Sequence, residues 1–337
     1  MITRIPANLH SDWQKELAQC VTDPTELLTL VSLDPADYQQ HIKARRLFPM
    51  RVPRHFVGLM KKGDPNDPLL RQVLPLADEF VQAPGFSTDP LQEQQAAQPG
   101  LLHKYQSRVL VMLKGGCAVN CRYCFRRHFP YQDNSMGQAQ WQQTLEYLTR
   151  HPELNEVIFS GGDPLMAKDA KLEQYARDLE AIPHIKRLRI HTRLPVVMPS
   201  RLTEALTQTL SQSRLQTVLV LHANHPNEIS AQLADSLRML KASGVTLLNQ
   251  SVLLKGVNDS PKVLAALSER LFDAGVLPYY LHLLDKVDGA QHFDLPHASA
   301  LELMQHLLKL LPGFLVPKLV REEAHQSSKT PIDLGPL

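Results

Sequence analysis

The chain has 337 residues, of which 43% are hydrophobic, enough to bury one large domain or one domain with an extension. Its 36 basic and 34 acidic residues give a net charge of +2, which excludes the strongly basic surface typical of nucleic-acid or membrane-surface binding. Met1–Trp13 lacks the apolar centre of a signal peptide, and no apolar run approaches the roughly 18 residues of a transmembrane helix, so we expect a cytoplasmic protein.

The N-terminal part of the chain has the composition of an accessory region. Asp12–Val31 carries apolar residues at helical spacing and is predicted to be mostly helical, with a break near Pro24. Pro49–Pro99 is dense in proline and glycine, which predicts short helices alternating with extended linkers. We therefore expect three parts: an accessory region at 1–98, a core at 99–312 and a C-terminal segment at 313–337.

From about residue 105 onward, short apolar runs alternate with segments of helical periodicity. Six strands are predicted, at Arg108–Leu113, Glu156–Ser160, Arg187–Thr192, Thr217–Leu221, Thr246–Leu253 and Pro278–Leu284. The six predicted helices are Ala139–Arg150, Lys171–Ala181, Arg201–Ser211, Ile229–Ser243, Val263–Ala274 and Ala298–Leu311. This alternation predicts an α/β fold of βαβ units, either a partial (β/α)6 barrel or, as the second choice, a doubly wound sheet.

Polar residues gather just beyond the ends of most predicted strands. In strand order they are Cys117, Ser160–Asp163, His191–Arg193, His222–Asn224, Asn249-Gln250 (within the fifth strand) and Asp285. Because active sites in βα folds lie at the carboxyl ends of the strands, these residues are candidates for one common site.

Three of the four cysteines fall within eight positions, as Cys117, Cys121 and Cys124. This C-x3-C-x2-C run is typical of a metal site in a reducing compartment, and it can hold three irons of a [4Fe–4S] cluster. The remaining cysteine, Cys20, is distant in the sequence, so the fourth iron would stay open. A structural zinc site with His128 as the fourth ligand is the alternative. The location after the first strand, with Gly161-Gly162-Asp163 after the second, favours the cluster.

This arrangement of cysteines and glycines resembles the radical S-adenosylmethionine (SAM) superfamily. There, SAM binds the open iron and is cleaved by electron transfer to give a 5′-deoxyadenosyl radical. The resemblance implies that Gly161, Gly162 and Asp163 contact the cofactor, since glycine permits a close backbone approach, and that His222 lies near SAM. It also implies an electron donor such as flavodoxin or ferredoxin.

Further segments resemble the lysine 2,3-aminomutases, and together they cover most of the chain: Pro99–Tyr105, Cys121–Arg127, Phe159–Leu165, His225–Glu228, Leu248–Asp259 and Ser328–Pro331. Leu47–Pro53 and Asp67–Pro75 resemble the short bacterial branch, which makes (R)-β-lysine for attachment to elongation factor P by a lysyl-ligase. The resemblance therefore implies an isomerase that converts L-α-lysine to β-lysine.

The family also uses pyridoxal 5′-phosphate (PLP), and its residues can be matched to positions in this sequence. The PLP lysine matches Lys329, and Arg108 and Gln250 match positions that contact the cofactors. The residues matched to substrate binding are Arg126 for the carboxylate and Asp285 and Glu322 for the side-chain ammonium.

Two departures from the family concern the substrate pocket. Glu322 replaces an aspartate, which keeps the charge but adds one methylene, and His282 replaces a tyrosine of clostridial members. Longer members bind zinc through further cysteines, at one of which this chain has Ser260, so we expect no structural zinc and leave a homo-oligomer open. The alternatives in function are an aminomutase for another amino acid, such as glutamate, or a non-catalytic iron–sulfur or zinc-binding module.

Overall fold

The computed structural model describes residues 13–93, 100–130, 136–324 and 326–335. The expectation that there is no signal peptide, and the predicted boundary between residues 98 and 99, lie outside the described residues. Within them, no helix has the length and apolar character needed to span a bilayer.

A single sheet forms the centre of the described structure. Its nine strands are β1 (Leu101–Tyr105), β2 (Arg108–Lys114), β3 (Glu156–Gly161), β4 (Arg187–Thr192), β5 (Gln216–His222), β6 (Thr246–Val252), β7 (Leu277–His282), β8 (Lys318–Arg321) and β9 (Thr330–Pro331). Strands β2 to β8 run parallel, whereas β1 and β9 are antiparallel to their neighbours. The six predicted strands are confirmed as β2 to β7, and the other three were not predicted.

The strand order is strictly sequential, so each parallel strand pairs with the one before it in the chain. A doubly wound sheet reverses its strand order at the centre, and that alternative is therefore wrong. Alternate side chains line one central cavity, namely Arg108 and Leu110, Ile158 and Ser160, Arg189 and His191, Gln250 and Val252, and Tyr280 and His282. The predicted α/β fold with a partial barrel is confirmed, with β8 as a seventh parallel strand.

Helices cover the outer face of this barrel and form the accessory region. They are α1 (Trp13–Ala18), α2 (Pro24–Leu30), α3 (Gln39–Ile42), α4 (Arg54–Gly58), α5 (Pro68–Arg71), α6 (Gln138–Arg150), α7 (Asp169–Glu180), α8 (Leu194–Val197), α9 (Glu204–Ser211), α10 (Ala231–Ala242), α11 (Pro261–Asp273) and α12 (His297–Leu310). The six predicted core helices are α6, α7 and α9 to α12. The predicted break near Pro24 is also present, because Asp23 caps α2 and Pro24 begins it.

The outward-facing strand residues form the hydrophobic core together with the helices. Val109, Val157, Leu188 and Leu219 are at most 1% exposed. The same core includes Leu27, Phe56 and Leu69 of the accessory region, so that region packs on the barrel without a separate core. Each such burial contributes about 1.5–3 kcal/mol to stability, so these contacts hold the helices against the sheet.

Candidate active site

A cavity of about 390 Å³ lies inside the barrel at the carboxyl ends of the strands, within the roughly 300–1,000 Å³ usual for ligand pockets. Most of the predicted site residues line it: Arg108, Cys117, Cys124, Arg126, Gly161, Gly162, Asp163, His222, Gln250, Asp285, Glu322 and Lys329. Cys121 lies close by, where its Sγ accepts a hydrogen bond from Arg193 Nη1 at 3.1 Å. The structure therefore brings together residues that are up to 221 positions apart, from Arg108 to Lys329.

Buried ion pairs attach the loop at 115–128, which follows β2, carries the three cysteines and is called the cysteine loop, to the accessory region. Arg122 and Arg127, which flank the third cysteine, both donate to the carboxylate of Glu79, and all three side chains are fully buried. Arg122 Nη1 also donates to the Phe48 carbonyl at 2.9 Å. Because buried charges persist only when they are paired, these contacts fix the backbone of the loop.

The three thiols form a donor set suited to a cluster. Burial raises the pKa of Cys124 to about 11, and the neighbouring Cys121 adds to this shift. Burial and then Cys124 raise the pKa of Cys117 well above its usual value. Neighbouring thiols with raised pKa values are stable as protonated groups, or as thiolates once metal ions replace the protons.

The structure also bears on the zinc alternative and on Cys20. His128 Nε2 lies 3.4 Å from the Asp288 carbonyl oxygen. Cys20, although distant in sequence, contacts the outside of the cysteine loop, with its Sγ 3.8 Å from the Ala118 carbonyl oxygen.

The Gly161-Gly162-Asp163 turn packs against the beginning of the cysteine loop. A Cβ on Gly161, which has a φ of +117°, would lie 2.7 Å from the Lys114 carbonyl oxygen, and one on Gly162 would lie 2.6 Å from that of Gly116. The glycines are therefore required by the chain's own backbone. The carboxylate of Asp163 accepts a hydrogen bond from Thr192 Oγ1. It also accepts hydrogen bonds from the backbone N–H groups of Leu165, Arg193 and Leu194, so it joins the ends of β3 and β4.

His222 belongs to a buried polar network behind the cysteine loop. Its ring stacks on Tyr123 at a centroid distance of 5.7 Å, and its Nε2 lies 3.2 Å from the Tyr123 hydroxyl. Burial, followed by the charge of Arg193, lowers the pKa of His222 to about 3, so the imidazole is neutral. Arg193 in turn donates to Gln72 Oε1 at 2.8 Å and to Glu228 Oε2 at 3.1 Å.

Lys329 and the two predicted ammonium-binding carboxylates, Glu322 and Asp285, line the same cavity; we call the part of the lining that they form the lysine end and the part beside the three cysteines the cysteine end. Lys329 Nζ donates to Glu322 Oε2 in a short ion pair. Burial opposes ionisation of Glu322, but the Lys329 ammonium outweighs it and lowers the pKa of this carboxyl. Burial, followed by the charge of Glu322, raises the pKa of Asp285 to about 7. This end thus has two carboxylates of different acidity beside one amine.

Arg126 forms a two-point ion pair with Glu93. Arg126 Nε donates to Glu93 Oε2 at 2.6 Å and Nη2 donates to Oε1 at 3.1 Å, while Nη1 donates to the Gly161 carbonyl oxygen at 3.2 Å. Lys104 Nζ lies 2.6 Å from Glu93 Oε1 and 3.8 Å from Glu322 Oε1. The predicted carboxylate-binding arginine is therefore oriented by an acidic residue of the accessory region.

Two histidines face the cavity with polar atoms that lack partners among the described residues. They are His191 and His282, and in each the buried Nε2 has no hydrogen-bond partner. Burial is the main cause that lowers the pKa of both imidazoles well below the usual value, so both are neutral. Arg108 is also available, with its guanidinium 4.0 Å from the centroid of Tyr105. Neutral ring nitrogens, cationic groups and an amine together fit an anionic heterocycle such as PLP.

Several pocket residues were not predicted, among them Glu93, Lys104, Tyr105, Arg189 and Tyr280. Strand β4 carried a usable signal, because Arg187, Arg189 and His191 alternate with apolar residues and so place polar groups on the inner face. No local pattern marks Glu93, since it reaches the cavity only through the packing of the accessory region.

Comparisons with known proteins agree with this architecture. The sequence profile of the Radical SAM superfamily matches residues 111–267. L-lysine 2,3-aminomutase of Escherichia coli is 58% identical over 96% of this chain and 95% of its own length, and that of Haemophilus influenzae is 55% identical over 95% of both. The protein of that name from Clostridium subterminale is 34% identical over 96% of this chain and 78% of its own length.

One solved structure supports the fold independently. A radical SAM methyltransferase from Sphaerobacter thermophilus superposes with a TM-score of 0.50 at 19% identity, over 66% of this chain and 68% of its own. At this level of identity the similarity concerns the barrel alone.

Proposed function

The chain belongs to the L-lysine 2,3-aminomutase family of radical SAM isomerases, and we propose that it converts L-α-lysine to (R)-β-lysine for the modification of elongation factor P. One observation carries the proposal. A single cavity is lined by Cys117 and Cys124, with Cys121 beside it, and also by an amine next to two carboxylates, Lys329 with Glu322 and Asp285.

Each cofactor has a matching group of residues. Cys117, Cys121 and Cys124 would hold a [4Fe–4S] cluster; Gly161, Gly162, Asp163 and His222 would surround SAM; and Lys329, Arg108 and Gln250 would hold PLP. When bound, the cluster and SAM supply a carbon radical that removes a hydrogen atom, and PLP supplies the group through which nitrogen migrates to the adjacent carbon. We assign to the protein the tasks of holding these groups together and keeping water out.

The charges of the cavity support lysine as the substrate. Arg126 presents a planar fork of N–H donors suited to the α-carboxylate. Asp285 and Glu322 would receive the side-chain ammonium after Lys329 has exchanged its contact with Glu322 for the cofactor. A glutamate side chain would instead meet two carboxylates, and neighbouring like charges disfavour binding.

The link to elongation factor P and the (R) configuration rest on the short bacterial branch that the sequence resembles. The same proposal includes a lysyl-ligase that uses the product, an electron donor such as flavodoxin or ferredoxin, and a possible homo-oligomer. We also keep the division into an accessory region at 1–98, a core at 99–312 and a C-terminal segment at 313–337 as part of this proposal.

The test is anaerobic reconstitution with iron, sulfide and PLP, followed by dithionite, SAM and L-lysine. We expect a single β-lysine enantiomer by chiral chromatography, together with 5′-deoxyadenosine. L-Glutamate, run in parallel, should give no β-amino acid.

Formation of 5′-deoxyadenosine without β-lysine would keep the radical chemistry and contradict lysine as the substrate. If a preparation with a verified cluster and bound PLP gave neither product, the whole assignment of the cavity would be wrong. The (S) enantiomer would contradict only the stereochemical part.

A further inference from the structure

One segment of the accessory region reaches both ends of the cavity. We call Ala83–Glu93 the strap. Ser87 in its middle pairs with the loop that follows β7: Ser87 N donates to the Lys286 carbonyl at 3.0 Å, and Asp288 N donates to the Ser87 carbonyl at 2.9 Å. This loop carries Asp285, so the strap is attached directly to the lysine end of the cavity.

The strap is also anchored by apolar packing. Phe86 packs against a small buried cluster that contains Tyr123 of the cysteine loop together with Leu284 and Val287 beside Asp285. Leu91 is 5% exposed. Because backbone pairing and apolar contacts act on the same short segment, its position relative to both loops is well determined.

The strap ends in a buried carboxylate. Glu93 is 4% exposed, and its backbone N–H donates to Asp89 Oδ1 at 3.0 Å. Burial opposes its ionisation, but Arg126 and then Lys104 outweigh that effect and lower the pKa of Glu93. Glu93 is therefore a fixed negative charge within the lining of the cavity.

The carboxylate of Glu93 accepts hydrogen bonds from Nε and Nη2, which lie along one edge of the Arg126 guanidinium. Two parallel hydrogen bonds of this kind fix the plane of the group, and Nη1 is held in turn by Ser160 Oγ at 3.3 Å and the Gly161 carbonyl oxygen at 3.2 Å. A substrate carboxylate that reaches Arg126 would therefore meet a guanidinium whose plane is already set. An arginine without such a partner would lose rotamer freedom on binding, which lowers affinity.

Charges of alternating sign connect the two ends of the cavity. The order is Arg126, Glu93, Lys104, Glu322 and Lys329, with each member in contact with the next. Glu93 stands between the group matched to the substrate carboxylate and the groups matched to the ammonium. Glu93 therefore separates the carboxylate-binding group from the ammonium-binding groups, and its ion pairs are buried, unlike those of a surface residue.

We propose that Glu93 is a positioning residue for substrate recognition: through the strap it holds Arg126 at a set distance from Asp285 and so selects an amino acid with a carboxylate at one end and a cation at the other. The proposal rests on the proposed function. It gives the accessory region a direct part in specificity.

The experiment measures binding of L-lysine and of cadaverine, which lacks the carboxylate, to anaerobically reconstituted, PLP-loaded protein by calorimetry. The variants are Glu93→Gln, which keeps the shape, and Glu93→Asp, which keeps the charge. Glu173→Gln, in an exposed ion pair with Arg177, is the matched control. Circular dichroism and PLP content check that each variant is folded.

We expect Glu93→Gln to weaken lysine binding about tenfold, as for the loss of a charged hydrogen-bond partner, and to leave cadaverine binding within about twofold. Glu93→Asp should recover part of the loss, and Glu173→Gln should change neither ligand. In turnover, KM for lysine should rise about tenfold in Glu93→Gln while kcat changes little.

Equal losses for lysine and cadaverine would assign Glu93 a purely structural role and overturn the proposal. Tighter lysine binding in Glu93→Gln would overturn it in the opposite direction, since Glu93 would then compete with the substrate carboxylate. If the wild type bound lysine without forming β-lysine, the proposed function would fail, and the ratio of the two affinities would still decide the role of Glu93.

Discussion

The two ends of the cavity differ in how their charges are neutralised. At the cysteine end, the buried charges are paired within the protein, with Glu79 against Arg122 and Arg127, and Glu228 against Arg193. At the lysine end, Lys329 is paired with Glu322, while Asp285 has a pKa raised to about 7 by burial and by Glu322.

This difference separates a permanent framework from a set of exchangeable partners. Removing one member of a buried pair leaves an uncompensated charge, so substitutions of these residues at the cysteine end should lower the free energy of unfolding. At the lysine end, a cofactor would have to take Lys329 from Glu322, and a substrate ammonium would replace Lys329 there. We therefore expect substitutions at this end to change ligand affinity and its pH dependence. Four variants test this contrast.

The largest effect is expected from Lys329→Ala. We expect β-lysine formation to be abolished, because the amine assigned to PLP is removed, while iron content and SAM binding stay at wild-type levels. Chiral chromatography and iron analysis measure the two. Full activity in this variant would contradict the assignment of Lys329, and loss of iron would contradict the independence of the two ends.

Next is Glu79→Ala at the cysteine end, which leaves the fully buried Arg122 and Arg127 without their common partner. We expect the free energy of unfolding to fall by roughly 3–5 kcal/mol, measured by anaerobic urea denaturation. The control is Glu173→Ala, in an exposed pair, with a change within about 1 kcal/mol. A similar change in the free energy of unfolding for the two variants would contradict the stabilising role assigned to the buried pairs of Glu79.

Asp285→Asn should produce a smaller effect, confined to binding. We expect lysine affinity to fall about tenfold at high pH, because the variant lacks the charge that an ammonium favours. The wild type should gain affinity as pH rises through about 7, where Asp285 ionises, and the variant should lack this gain. Calorimetric titrations across that range measure both, and an identical pH dependence in the two proteins would contradict the role of Asp285.

The raised pKa of Asp285 has a defined consequence for stability. Between the ordinary value of 3.8 and about 7, the folded protein retains a proton that the unfolded chain releases. The contribution of Asp285 to stability is therefore fully present below the ordinary pKa and is lost as pH rises through about 7. Asp285→Asn should remove this part of the pH dependence of the free energy of unfolding.

The smallest effect is expected from Glu322→Asp, which restores the residue type of the longer relatives. Charge is kept and reach is shortened by one methylene, so KM for lysine should change by no more than about threefold, with kcat retained. Glu322→Ala serves as the comparison and should raise KM at least as much as Asp285→Asn. Equal behaviour of the two Glu322 variants would show that its charge has no part in binding.

The elements that were predictable from the sequence share a local signature. The six strands β2 to β7 are apolar runs long enough to stand out, and the cysteines of the loop are adjacent in the chain. Strand β8 has only four residues, two of them charged, and β9 has two, so no periodicity could reveal them. Their pairing places Lys329 beside Glu322, a contact that the sequence could suggest only through the family resemblance.

The supporting residues of the site were beyond prediction for a different reason. Gln72 and Glu93 lie in the accessory region, and each touches the site only because tertiary packing brings it there. For Gly161 and Gly162, a cofactor approach was expected, whereas the atom closest to a Cβ at either position is a backbone carbonyl oxygen, that of Lys114 or that of Gly116. The two glycines in the sequence thus indicated a close approach at this turn, but they did not reveal that the approaching group is the protein backbone.

The sequential order of the strands has a consequence for folding. Each parallel strand can be added to the edge left by the one before it, so the chain closes modest loops at every step instead of pairing distant strands. The cysteine loop follows β2, and its partners Arg193 and Glu228 follow β4 and β5, whereas Glu322 and Lys329 arrive with β8 and β9. A folding intermediate that lacks those two strands would therefore contain the cysteine loop and lack the Lys329–Glu322 pair.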